Sequence, residues 1–226
     1  RHGVNSLMRM SGEVTIEERK NRAIAAAGKF RSGKKDISTF IVEKQFRGFR
    51  VGKKLKKMGM RASPTSEVIF ESCEVPVTNR IGEENDSVSH MMRNLNLERI
   101  TISGISVGIH SSCLKVVQRY ATERTQFNKP IASFQMIQER VAEMATTLDA
   151  GRSLIYLAAE AYDRGERSPT LGAKAKLFTA QVATEAGLDA IQILGGYGYM
   201  KEYPVERYMR DAKLMEIGAG TNEVMR

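Results

Sequence analysis

Residues 91–109 read MMRNLNLERITISGISVGI. Within them Met91, Met92, Leu95, Ile100, Ile102, Ile105, Val107 and Ile109 recur with a spacing near that of a helix with one apolar face. The pattern predicts a helix over residues 87 to about 124. A second pattern starts near Phe134, carries Ile137, Val141, Met144, Leu148, Leu154, Ile155 and Leu157, and ends at Gly165. Ser168-Pro169 suits the start of a third helix, because Ser caps an N-terminus and Pro fits the first turn. That helix runs to Leu194 and stops at Gly195-Gly196. A fourth begins after Pro204 with Val205, Tyr208, Met209 and Leu214. Four amphipathic helices, three of them long, with short connections predict a bundle.

Upstream the signal changes. Ile37-Ser38-Thr39-Phe40-Ile41-Val42 is β-branched and aromatic, as strands prefer, and Gly48, Gly52 and Gly59 punctuate the next stretch. Val68-Ile69-Phe70 and residues 73–76 continue the short runs, broken at Pro76 and Gly82. This reads as part of a small β domain joined to the bundle near residue 86. The expected organisation is an unmatched segment over 1–28, a partial β domain over 29–85 and a bundle over 86–226. The fold class is α+β, mostly α.

The 226 residues are 42% hydrophobic and 27% charged, which excludes a disordered polyelectrolyte. Thirty-five Lys and Arg against 26 Asp and Glu give +9. Much of the excess lies in residues 29–57, a stretch with few aromatics and no nucleic-acid motif. A nucleic-acid partner is therefore not expected, whereas a phosphate-bearing small ligand or a solvated surface is. Cys73 and Cys113 are too few for a disulfide scaffold and lack metal-ligand spacing, so a reducing compartment and no metal are expected. No run approaches about 18 consecutive apolar residues, so no membrane span is expected. The chain begins with Arg rather than Met and reads as a fragment, a processed form or a trimmed chain. Glu13, Glu17 and Glu18 argue against a transit peptide.

Four local features have both an ordinary and a chemical reading. Glu98 within the first helix is either a solvated acid or a buried base whose pKa burial would raise. Arg124 at that helix's end either complements the helix dipole or aims a guanidinium fork at a pyrophosphate. Gln192-Ile193-Leu194-Gly195-Gly196-Tyr197-Gly198-Tyr199 is a helix C-cap with a tight turn, or a backbone that lets a cofactor approach closely. It comes after a helix rather than a strand, so it is not a dinucleotide fingerprint. Gly218-Ala219-Gly220-Thr221-Asn222-Glu223 is a helix N-cap with a nearby acid, or a loop that hugs a ligand.

The order and separation of these features are more specific than any one of them. Lys56-Lys57-Met58-Gly59-Met60-Arg61, Glu74-Val75-Pro76, Gly82-Glu83-Glu84-Asn85, Glu98-Arg99 and Arg124-Thr125-Gln126-Phe127 come first. Pro130-Ile131 with Phe134-Gln135, the Gln192 to Gly198 run, Pro204-Val205-Glu206-Arg207, Arg210-Asp211-Ala212-Lys213 and Gly220-Thr221 come after them. Together they resemble the acyl-CoA dehydrogenase flavoenzymes, from about Lys29 to Arg226. The resemblance covers the later part of that family's fold, a middle β domain and a C-terminal four-helix bundle. The family's N-terminal helical domain and early β strands have no counterpart here.

In most of that family a Glu precedes the final Gly-Thr; here the position is Ala219. The isovaleryl-CoA dehydrogenase branch spells this loop Ile-Gly-Ala-Gly-Thr and takes its base from Leu-Glu-Arg on the first bundle helix. Leu97-Glu98-Arg99 and Ile217-Gly218-Ala219-Gly220-Thr221 occur together in this sequence. Asn128 replaces a common Gly, a mild change because Asn tolerates the left-handed region.

The resemblance implies FAD-dependent α,β-dehydrogenation of a short branched acyl-CoA, with Glu98 as catalytic base and electrons passed to an electron-transferring flavoprotein. It implies that Arg124 and Gln135 touch FAD of a neighbouring subunit. Gln192, Ile193, Leu194, Gly195 and Gly196 would meet the same flavin, and Thr221, Asn222 and Glu223 would approach it from the final loop. Ser89, Asn96, Leu97, Arg99, Ala219 and Gly220 would line the acyl-CoA site, with Lys34 and Lys35 near it. A homotetramer is implied, with a role in leucine catabolism. The expected location is the mitochondrial matrix for a eukaryotic source and the cytoplasm for a bacterial one. The alternative is a non-catalytic homologue serving as a structural or assembly subunit, or a half-enzyme completed by a separate chain.

Overall fold

The structure, a computed structural model, describes residues 37–226 and the short strand Arg22–Ala23. The remainder of the unmatched segment over 1–28, together with Lys34 and Lys35, lies outside the described residues. The chain divides into two compact units. One comprises Arg1–Lys56 with Ala62–Asn94, the other Lys57–Arg61 with Leu95–Arg226.

The first unit is built from short antiparallel pairs. Strand β1 (Arg22–Ala23) pairs with β5 (Val75–Pro76), and β2 (Thr39–Phe40) pairs with β6 (Arg80–Ile81). Strand β3 (Phe49–Lys54) pairs with β4 (Ser66–Phe70), with an irregularity between Val51 and Lys54. Phe49 and Phe70 meet edge to face at 5.5 Å across that pair, and Arg50 bonds Glu71 at 2.8 Å beside it. The predicted strand over residues 37–42 is reduced to Thr39–Phe40, because only those two residues find a partner strand.

The second unit is a helical bundle. Helix α1 spans Ser87–Glu123, beginning in the first unit. Helices α2 (Gln135–Asp163), α3 (Pro169–Leu194) and α4 (Val205–Met215) come next, and a last turn, α5, covers Asn222–Met225. All four periodic patterns thus form helices close to their predicted bounds. Between α1 and α2 lies a hairpin, β7 (Thr125–Gln126) with β8 (Lys129–Pro130), which the periodicity did not indicate. Its two turn residues, Phe127 and Asn128, both have positive φ, at 51° and 62°. Two such residues in succession are what a tight hairpin turn requires.

The core gathers Cys113, Leu114, Val117, Met144, Leu148, Ala186, Ala190, Ile193, Leu194 and Val205. Small residues on α3 allow close packing. A Cβ on Gly187 would stand 2.8 Å from the Met209 Cα on α4. Residues 57–61 are tied to α4: the Met60 N–H donates to Asp211 Oδ1 at 2.6 Å, and Arg210 Nη1 donates to the Met58 carbonyl at 2.7 Å. Arg210 also forks onto Glu206 at 2.7 and 3.0 Å.

The buried face of α1 departs from the expected apolar stripe. Met91, Met92 and Ile105 are exposed, whereas Arg99, Ser103, Ser106 and His110 are buried above Cys113 and Val117. By length and composition α1 is also apolar enough to cross a membrane, which counting unbroken apolar runs did not reveal. Its C-terminal half packs into the bundle core instead.

Candidate functional site

Two clusters in the helical unit collect most of the residues singled out by sequence. The first joins α1 to the segment after α4. Arg99 is buried, and its Nε donates to the Ala219 carbonyl at 3.3 Å while Nη1 donates to Asn96 Oδ1 at 3.2 Å. The Ala219 contact bridges residues 120 positions apart. Burial lowers the Arg99 pKa, and the neighbouring Glu98 carboxylate opposes that shift. Ala219 has φ 54° and Gly220 φ 100°. Alanine in this region is strained, so the surrounding contacts must hold it there. Leu97 and Glu98 are exposed. Glu98 is not buried within this chain, because its side chain lies on the outer face of α1 while that of the next residue, Arg99, lies on the inner face. Ser89 lies in the first unit, where its hydroxyl bonds the Asp86 side chain at 2.7 Å.

The second cluster surrounds a cavity of about 440 Å³ at the end of α3. Arg124, Ile193, Leu194, Gly195 and Gly196 line it, joined by Tyr120, Gln126, Ile131, Tyr197 and Met200. Gly195 takes φ 60° where α3 ends, the turn that the Gly-rich run predicts. Beside it Tyr120, Tyr197 and Tyr203 pack edge-on or tilted at 5.7–6.5 Å, and the Arg124 guanidinium lies 5.9 Å over Tyr197. Sequence reading missed these tyrosines. Tyr197 and Tyr203 had only the signal of aromatics in and just after the glycine run, which equally suits a core, and Tyr120, far away on α1, had none.

Gln135, at the start of α2, and Gln192 are exposed and do not line this cavity. Nor do Thr221, Asn222 and Glu223. Asn222 is buried and bonded to Lys176. The Glu223 carboxylate is held below its usual range by its own backbone N–H and the Thr221 hydroxyl. Within one chain Thr221 stands at the N-cap of α5 with Glu223 in its first turn, as the ordinary reading of that segment predicts.

The cavity suits a diphosphate-bearing flavin. A Cβ at Gly195 or Gly196 would meet nothing within 4 Å, so bare backbone faces open space there. Among the described residues no carboxylate pairs with Arg124. Its guanidinium fork remains available to a phosphate.

The acyl-CoA dehydrogenase C-terminal domain family matches residues 88–226. An acyl-CoA dehydrogenase of Bacillus subtilis (strain 168) is 47% identical over 194 residues, 86% of this chain and 51% of that protein. A mitochondrial isovaleryl-CoA dehydrogenase of Oryza sativa is 46% identical over 195 residues, again 86% of this chain and 48% of that protein. The solved butyryl-CoA dehydrogenase of Megasphaera elsdenii superposes with a TM-score of 0.85 at 38% identity, over 91% of this chain and 54% of that one. The chain belongs to the acyl-CoA dehydrogenase family, whose members are FAD-dependent flavoproteins. It spans about half the length of the curated relatives it matches.

Proposed function

We propose that this chain forms the C-terminal part of an enzyme that α,β-dehydrogenates a short branched acyl-CoA of the isovaleryl type. Glu98 takes the α-proton of the thioester. FAD, when bound, supplies the hydride acceptor, and an electron-transferring flavoprotein receives the electrons. Arg124, Gly195 and Gly196 hold the flavin's diphosphate side. The positions of Gln135, Thr221 and Glu223, away from the cavity, suit contacts made in an assembly, and we place the complete protein in a homo-oligomer, with four subunits by resemblance.

One observation carries this reading: Arg99, the residue next to Glu98 on α1, bonds the Ala219 carbonyl of the final loop. A base on α1 and a base at position 219 would therefore serve one substrate from neighbouring backbone. Ala219 has no proton-accepting side chain, which leaves the role to Glu98. A thioester α-carbon is a poor acid, so Glu98 needs a partner site that polarises the carbonyl through hydrogen bonds.

The test is a spectrum of the complete purified protein with and without substrate. Flavin absorbance that bleaches on adding isovaleryl-CoA is expected. Bound flavin that bleaches equally fast with a straight-chain thioester would contradict the branched preference, and absence of flavin would contradict the enzyme reading.

A further inference from the structure

Lys176 lies in the N-terminal third of α3 at 1% exposure, and the proposed chemistry does not use it. Its Nζ donates to the Glu216 carbonyl at 3.1 Å and to Asn222 Oδ1 at 3.0 Å. These acceptors stand at the two ends of one loop, residues 216–222. The backbone closes the same loop, since the Asn222 N–H donates to the Glu216 carbonyl at 2.9 Å. Between the ends lie Ala219 and Gly220, both at positive φ. Arg99 reaches the Ala219 carbonyl from α1.

A buried ammonium is costly unless its donors are used. Here both hydrogen-bond acceptors are neutral. The Glu216 and Glu223 carboxylates favour the charged form and Arg99 disfavours it, but burial dominates and pushes the pKa down to about 8. An apolar residue of the same length would fill α3 without that cost but would take the Lys176 donor from Asn222 Oδ1 and leave the Glu216 carbonyl only the Asn222 N–H.

We infer that Lys176 is a positioning residue that clamps both ends of the 216–222 loop and so fixes the Ala219-Gly220 backbone facing the acyl-CoA site. The clamp is independent of the functional reading; its effect on substrate rests on that reading.

Amide hydrogen exchange on the ligand-free protein tests the clamp. Asn222→Ala should speed exchange in residues 216–222 by about tenfold, the effect of losing one good hydrogen bond, and Lys176→Met, which loses two, by at least as much. The double variant should exceed Lys176→Met by little, because that variant already removes the Lys176–Asn222 bond. Amides around Leu148 on α2 should keep wild-type protection. Wild-type exchange in the loop of both variants would overturn the clamp. If Lys176→Met fails to fold, Asn222→Ala carries the test alone.

Kinetics on the complete FAD-loaded protein test the positioning. Lys176→Met should raise KM for the acyl-CoA several-fold more than it lowers kcat, with flavin occupancy unchanged. A loosened loop with an unchanged KM would overturn positioning while leaving the clamp. A wild-type protein that turns over no acyl-CoA would count against the functional reading, and the exchange experiment would still decide the clamp.

Discussion

His110 is 1% exposed, and neither ring nitrogen has a well-formed hydrogen bond among the described residues. Burial lowers its pKa, the Met144 backbone opposes this, and Arg152 adds to it. The unfolded chain therefore binds a proton at about 6.5 that the folded chain refuses until lower pH. Stability that is intact above that value is lost as pH falls through the folded pKa. His110→Leu should flatten the acid limb of a denaturation-midpoint profile, and an unchanged acid limb would contradict this origin. The same residue explains why the buried face of α1 was hard to read from sequence. The stripe at Arg99, Ser103, Ser106 and His110 has helical spacing but looks solvent-facing by composition. Its serines can be buried because they bond their own helix, Ser103 to the Arg99 carbonyl at 2.7 Å and Ser106 to that of Ile102 at 3.4 Å. Periodicity read from apolar residues alone cannot register such a face.

At the scale of elements, helix bounds were legible because caps and breakers mark them. Ser168-Pro169 opens α3 and Gly195 closes it. The short strands were less legible, since a two-residue strand such as Thr39–Phe40 depends on its partner rather than on local preference. Helix packing sets a second expectation. Propensity alone says that Gly187→Ala should stabilise α3 by about 1 kcal/mol. The added Cβ would instead meet the Met209 backbone at 2.8 Å, and overpacking of this kind costs about 1–3 kcal/mol. Denaturant titration should show net destabilisation, and a more stable variant would contradict the α3–α4 approach. Arg124 sits just beyond the end of α1, over Tyr197 and beside the Gly195-Gly196 backbone. Arg124→Leu should weaken flavin retention by about 1.5–3 kcal/mol, the worth of a charge-assisted bond, while leaving the melting temperature of the flavin-free chain nearly unchanged. Equal flavin occupancy in both proteins, measured after dialysis, would remove Arg124 from the cofactor site.

For the whole molecule, bundle and family resemblance were readable from motif order, whereas the exposure of Glu98 was not. The sequence pairs Glu98 with Arg99, and only the fold shows one turning outward and the other inward. Large apolar side chains also remain uncovered, Phe127 at 87% and Tyr199 at 82% exposure, which suits an assembly larger than one chain. The central claim is the proposed role of Glu98: standing in for the acid absent at Ala219, it abstracts the substrate proton. Stopped-flow flavin reduction in the complete protein tests it most directly. Glu98→Gln keeps the side chain's size but cannot accept the proton, so reduction should slow by at least about a hundredfold with substrate binding retained. Adding Ala219→Glu to that variant should recover part of the rate. Near wild-type flavin reduction by Glu98→Gln alone would contradict the account.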